Sequence, residues 1–500
     1  MIYKKKVVVV GGGTAGLTIA NNLKDHFDVV VIEKSQYKKY PNWFRPPLMI
    51  GLLFRSKKFK YMSKRDFIMS DGRHIPFFES NLLGGASVIN GCVHMVGNKT
   101  SWSAILEKFE SNYEELIDSY KKIYSLNSKN KNKITLSSSH QSFIDESFIK
   151  TLNLFGIPEG DSNYSDFESC GPIYNTVRRF FRTSVLSIIN KNNFKYFINE
   201  SVDELLFNES KVIGVKTNLK KIEADYVILA GGVIGTCGLL LKERDKLNKK
   251  GNKILKGVNL GEKIQDHTNL RINILTNKNI GSLNEISNSF YQRATLLLNH
   301  YVGKSSLMRG TGASSSVHLD LNGDGEIDTR IQVVQFSETG RHGSDGKFFS
   351  SSKPGFSLSI TPISPKSKGK INIDGLNSIV DPMYLSSKKD IEILKLALRF
   401  CLKLLRSSPI NDHVLKIEDE NIIENNCERY ITNNIFSGHH LIGGTQDAIN
   451  GNFELKHAKS LYICDASIFD RYAASNIHSS VILIADIFSN KFIKNNKGKE

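Results

Sequence analysis

Three glycines spaced Gly11-x-Gly13-x-x-Gly16 stand between two short apolar runs, and the second run ends on an acid, Glu33. The chemistry of that pattern is nucleotide binding. Gly11 permits a tight turn out of a strand, Gly13 lets backbone approach a pyrophosphate, and Gly16 lets the next helix pack on the strand. The helix start offers free N–H groups and a partial positive charge to phosphates. Glu33, 17 residues after Gly16, can accept hydrogen bonds from both hydroxyls of a ribose. A carboxylate there, with no arginine beside it, argues against NADP. The glycines alone are a weak sign. Strand, glycines, helix, strand and terminal acid together are a strong one, but they do not choose between FAD and NAD.

The elements that hold these residues can be read from periodicity. Val7–Val10 and Val29–Ile32 are expected as buried parallel strands flanking a helix that includes Leu17–Leu23. Lys4-Lys5-Lys6 before Val7 imitates a signal peptide, but the apolar run stops at Gly11-Gly12-Gly13 and no cleavage site follows. Lys211–Lys216 alternates, and Tyr226–Ala230 reads as another strand that ends at Gly231-Gly232 and returns the chain to the nucleotide sheet. Lys388–Arg406 should be a long helix with a broad apolar face. Asn127–Ser139 is rich in Lys, Asn and Ser and reads as an exposed loop, Ser479-Ser480 reads as a capped helix start, and residues 493–500 read as a frayed tail. Asp320–Asp328 fits the first nine places of an EF-hand-like calcium loop, but the twelfth place is Ile331 and the flanks alternate like strands, so a polar hairpin turn is the better reading.

Composition bounds the rest. A chain of 500 residues has room for two domains. The net charge of +17 is dispersed in short clusters, and no aromatic-interleaved basic motif supports a nucleic-acid partner. The six cysteines form no C-x-x-C, which excludes a cysteine zinc ribbon and fits a reducing, cytoplasmic setting. No apolar run is long enough to suggest a transmembrane segment.

With those pieces in order, the chain resembles the glucose-methanol-choline (GMC) family of FAD-dependent oxidoreductases. The resemblance rests on the N-terminal unit, Leu83–Gly91 (LGGASVING), Val227–Leu241, Val258–His267 (VNLGEKIQDH), Gly355–Asp374 followed by Asp381–Leu385, and Gly438–Asp486, which carries HHLIGGT, LYICDASIF and ASNIHSSVILIAD. It implies an α/β fold in which a Rossmann-like FAD-binding domain (1–110, 185–270 and 430–492) interleaves with an α+β substrate domain on an antiparallel sheet (111–184 and 271–429). It implies flavin contacts at Gly84, Gly85, Ser87, Asn90, Val202, Ala230, Gly231, Asp465 and Ile477. Some relatives attach FAD through a His just before the family Asn; Ile89 stands there, so FAD is expected to be noncovalent.

The activity that the resemblance implies is oxidation of an alcohol (CH–OH donor) to a carbonyl, with hydride passing to flavin N5. His suits the base because its ordinary pKa of roughly 6.5 lies near working pH. Counting back from Gly443-Gly444 selects His440, with His439 as the competitor, and the family pattern puts Asn476 on the oxygen-holding position, with His478 close by. His94 is expected at the flavin edge or in a structural role. Oxygen, a quinone or a separate carrier can take the electrons. The rivals are non-redox, lyase-like chemistry in the same fold, and a non-catalytic FAD-binding protein.

Overall fold

A computed structural model describes residues 4–51, 61–69, 72–189, 194–251, 254–304, 306–339, 349–350, 353–375 and 377–497. A five-stranded parallel sheet runs in the order Lys195–Ile198, Asp28–Glu33, Lys6–Val10, Tyr226–Leu229 and Leu461–Ile463. Val8 stands between Val30 and Val227 in register, and Val7, Val8 and Val9 are fully buried. Such β-branched runs suit a sheet covered on both faces. Its strands come from three distant stretches, so it gathers the glycine turn and the C-terminal region into one layer. Helix Thr14–Leu23 packs on helix Ile477–Asn496. Buried Asp486 fastens the latter, accepting from Asn22 Nδ2 (2.7 Å), Ser119 Oγ (2.9 Å) and Lys122 Nζ (2.6 Å).

The second layer is an antiparallel sheet ordered Val414–Ile417, Thr268–Thr276, Gly355–Pro362, Thr329–Val334, Ala313–Leu319 and Ser169–Pro172, with Phe436–Ser437 also on Thr268–Thr276. The period of two sorts its faces. Leu270, Ile272, Ile331, Val333, Leu358 and Ile360 are fully buried on one face, against helix Lys388–Leu405 with its buried Leu394, Ala397, Leu398 and Cys401. The other face carries Asn269, Arg271, Arg330, Gln332 and Ser359, all of which line one cavity. The fold is thus mixed α/β. A four-stranded sheet, Asn377–Asp381, Gly369–Asp374, Glu262–Gln265 and Ile442–Gly444, lies between these layers in the chain's path.

Three sequence expectations need correction. Within Asn127–Ser139, Ile134–Ser138 is a strand parallel to Tyr124–Leu126, because Ile134 and Leu136 are buried despite their polar surroundings. The last helix starts at Ile477, not at the serine pair, and Ser479 Oγ donates to the Met95 carbonyl and caps nothing. That helix also continues through the first half of the expected tail to Asn496, since Phe488, Phe492 and Asn496 extend one buried stripe at i, i+4 spacing; residues 498–500 lie outside the described residues. The acidic segment Asp320–Asp328 does join two antiparallel strands, and Asp320 accepts from Gly323 N at 2.8 Å and Gly325 N at 2.7 Å, closing the turn on itself. Among the described residues, no cluster of His, Cys, Asp or Glu is placed to hold a metal, and no helix is long and apolar enough to cross a membrane.

Candidate active site

One cavity of about 890 Å³ joins the glycine turn to the paired histidines. Its nucleotide end is lined by Gly11, Gly13, Glu33, Gly85, Asn90, Ala230, Gly231 and Asp465. A Cβ on Gly16 would lie 1.9 Å from the Gly11 carbonyl oxygen, so only hydrogen lets the helix sit against the turn. A Cβ on Gly85 would lie 2.9 Å from Gly13 Cα, and Gly84 N donates to Gly12 O at 2.8 Å, so the 84–91 loop closes directly on that turn. Helix Thr14–Leu23 starts at Gly13 with no side-chain cap, leaving its first N–H groups for a ligand. Glu33 accepts from Gly12 N (2.5 Å) and Ser35 N (2.7 Å), one bond per oxygen, and keeps a further lone pair on each. Asp465 accepts from Gly232 N (2.9 Å), Thr236 Oγ1 (2.5 Å) and Ser467 N (2.8 Å), and burial pushes its pKa up. An uncapped helix end, close backbone and an acid on the cavity wall fit a dinucleotide.

Not every expected contact residue reaches this wall. Ser87 Oγ donates to the Gly84 carbonyl at 2.7 Å and lies off the cavity, so its hydroxyl shapes the turn. Val202 begins strand Val202–Asn208, also off the cavity. The Asn90 side-chain oxygen accepts from Arg182 and from Cys92 N (3.2 Å), which leaves its NH₂ for the cavity. His94 is buried beside Tyr124, with ring centroids 4.5 Å apart, and its pKa is pushed down to about 3 by burial and then His478.

The opposite end is built on the turn Ser437–His440. Asp266 holds it: Oδ1 accepts from His440 N at 2.7 Å, and Oδ2 accepts from Ser437 Oγ and Tyr384 OH. Gly438 N donates to the His267 carbonyl at 2.7 Å. His439 takes φ +60, stacks on Phe77 at 5.1 Å and has Nδ1 3.1 Å from Ser437 O.

His440 sits differently. Its Nδ1 is 3.0 Å from Nδ1 of fully buried His267, whose Nε2 is 3.2 Å from the Ile363 carbonyl. A carbonyl only accepts, so His267 Nε2 carries the hydrogen and its Nδ1 is an acceptor. His440 Nδ1 must then be the donor between the rings, which leaves the lone pair on His440 Nε2. Both rings are neutral at ordinary pH. Burial, helped by Arg330, pushes His267 down to about 3. Burial, then His267, Arg330 and His439, hold His440 well below the usual imidazole value. Tyr472 stacks on His267 at 3.8 Å and donates to the His440 carbonyl at 3.0 Å, locking both from behind.

Asn476, Ile477 and His478 line the same cavity at the start of the last helix. Asn476 Oδ1 accepts from Arg330 Nη1 at 2.8 Å, so its NH₂ is the end left to donate. His478 has Nε2 buried without a partner, and burial pushes its pKa down to about 4.

Sequence reasoning did not single out His267, Asp266 or Arg330, which hold the residues at this end of the cavity. The segment that holds the first two was visible, but His267 and His440 are 173 positions apart and nothing in the sequence measures that distance. Arg330 had one signal: an arginine alternating with Ile331 and Val333 must face away from the apolar side.

Residues 365–485, which include the histidine turn and Asn476, match the family model described as GMC oxidoreductase. Over 96% of its length the chain is 22% identical to the oxygen-dependent choline dehydrogenase of Vibrio vulnificus (strain YJ016), covering 92% of that protein. Over 57% of its length it is 26% identical to (R)-mandelonitrile lyase 2 of Prunus dulcis, covering 53% of that protein. The structure of a formate oxidase shares the fold at TM-score 0.86 with 17% identity, covering 99% of this chain and 100% of that one. A family match across the histidine end, joined to a full-length likeness and a glycine cradle at the other end of one cavity, makes the chain similar to GMC oxidoreductases from end to end.

Proposed function

We propose that the protein oxidises an alcohol to a carbonyl, with FAD bound noncovalently along the glycine-lined end of the cavity. Gly11, Gly13, Glu33, Gly85, Asn90 and Asp465 would hold FAD, which when bound would supply the two-electron acceptor for the carbinol hydride, at flavin N5. The chain's residues handle the oxygen and its proton. His440 takes the hydroxyl proton at Nε2, the nitrogen that its bond to His267 leaves unprotonated. Asn476 donates its NH₂ to the same oxygen, with its carbonyl end fixed by Arg330. Ile89 offers no nucleophile at the attachment position used by some relatives, which supports noncovalent binding. The six free cysteines support a reducing, cytoplasmic setting. Electrons then pass to oxygen, a quinone or a separate carrier.

The observation that carries this reading is the His267–His440 pair opening onto the same cavity as the uncapped glycine turn. The test is anaerobic mixing of the purified yellow protein with alcohols, sugars and sterols. Bleaching of the flavin band by at least one is expected. The partial likeness to a mandelonitrile lyase favours one second reading, non-redox cleavage of a cyanohydrin-type alcohol. That reading predicts product without bleaching.

A further inference from the structure

Among the described residues, Arg330 is a cation without a counter-ion. It is 3% exposed, and its Nη1 is taken up by two neutral partners, Asn476 Oδ1 at 2.8 Å and Met95 Sδ at 2.6 Å. Its Nε is buried with no acceptor. Its neighbours across the sheet, His318 and Thr361, are neutral too. Burial pulls its pKa down to about 10, no carboxylate opposes that shift, and the guanidinium stays charged at neutral pH. Arg271 on the same sheet face shows the contrast, since Glu338 pairs with it directly. An isolated buried charge is costly, and a fold keeps one where a ligand of opposite sign completes it.

The place of this charge says which ligand. Arg330 lines the cavity at its reacting end, bonded to Asn476 and close enough to depress His440. It projects from the antiparallel sheet of the second layer and not from the glycine cradle. Gln332, two residues along on the same face, likewise has its side-chain oxygen buried without a donor among the described residues. Resting on the alcohol-oxidising reading above, we infer that the substrate carries a carboxylate beside its carbinol carbon, as a 2-hydroxy acid does, and that Arg330 binds that carboxylate. The balance is simple. R–CH(OH)–COO⁻ gives hydride to the flavin and its hydroxyl proton to His440 Nε2, leaving R–CO–COO⁻, and the carboxylate is unchanged.

The holoenzyme is tested in two ways. Anaerobic bleaching is compared for lactate, glycerate and mandelate against 1,2-propanediol, glycerol and 1-phenylethanol. Separately, oxamate, which cannot be oxidised here, is titrated by flavin difference spectrum and calorimetry. A preference of about 100-fold or more for an acid over its neutral partner is expected, the scale of a charge-assisted bidentate contact. Oxamate should bind the native protein, bind more weakly to Arg330→Lys and fail to bind Arg330→Met. Neutral alcohols bleaching as well as acids, with no oxamate binding, overturn the carboxylate and leave alcohol oxidation standing. Oxamate binding that depends on Arg330, with no bleaching by any alcohol, keeps the anion site and removes the oxidation. Neither response removes both. The native comparison and the lysine variant decide the matter even if the methionine variant does not fold.

Discussion

On the proposed reading, His440 owes its free Nε2 lone pair to the direction of a ring it meets only in three dimensions. Replacing His440 by Ala should leave flavin bound and slow anaerobic bleaching by roughly 100- to 10,000-fold, the usual size of a general-base contribution; stopped-flow absorbance reads both. His267 does not line the cavity, so in the proposed reaction it would act by position. His267→Phe keeps the ring stack on Tyr472 but removes the acceptor for His440 Nδ1. Its expected effect is a loss of kcat with a changed pH profile, whereas a packing defect alone would lower the amount of active enzyme and leave the profile in place. The native profile has a definite sign. His440 is depressed by burial, His267 and Arg330, so kcat/KM should hold steady as pH falls through 6.5 and decline only well below it. Arg330→Lys keeps a positive charge and should hold that acid limb low, while Arg330→Met should move it up only in part, because burial and His267 still depress His440. That His440 and Asn476 line one cavity with the glycine turn was legible because their neighbours in sequence mark them. The His267 contact was not, because two residues 173 apart become partners only through strand pairing.

At the scale of elements, the sequence is readable where a repeat of two or 3.6 lasts long enough to be counted. Val7–Val10, Val29–Ile32 and Tyr226–Ala230 announced strands that appear within a residue or two, and so did the apolar stripe of Lys388–Leu405. Ile134–Ser138 escaped because only Ile134 and Leu136 stand out against lysines, asparagines and serines, and burial came from neighbours far along the chain. The end of the last helix escaped for a similar reason. Lys491, Lys494 and the asparagines look solvated, but Phe488, Phe492 and Asn496 share a buried side. The glycine turn gives the sharpest prediction at this scale. A methyl group on Gly16 falls 1.9 Å from the Gly11 carbonyl oxygen, so Gly16→Ala must lift the first helix off its strand. Purified Gly16→Ala protein should have lost most of its flavin, read as the ratio of flavin to protein absorbance. Gly13→Ala is gentler on the apo fold, since nothing lies within 4 Å of its added Cβ, and should weaken flavin binding mainly by crowding the ligand.

The whole molecule buries an unusual set of neutral imidazoles. His94, His267 and His318 are each held at about 3, and His478 at about 4, all chiefly by burial. Unfolding frees them to titrate near 6.5, so between that value and their folded values the unfolded chain binds more protons and stability falls as pH falls. Each contributes about 1.4 kcal/mol per pH unit in that window. Buried Asp145, Asp266 and Asp465, whose pKa values are raised, work in the opposite sense, but only above their own ordinary carboxylate range. Urea midpoints should therefore drop as acid is added below about 6, the range in which these imidazoles titrate only in the unfolded chain. His318→Phe, which removes one such ring away from the reacting atoms, should soften that slope. One further property follows from the strand Thr268–Thr276. It leaves His267 at one end and carries Asn269 and Arg271 along the cavity wall, so the backbone that orients the proton acceptor is the same backbone that shapes the ligand's surroundings. Redesign of selectivity along that strand would detune the chemistry with it, whereas Ser359, on the adjoining strand and remote from either imidazole in sequence, offers a handle for engineering that leaves the reaction's timing alone.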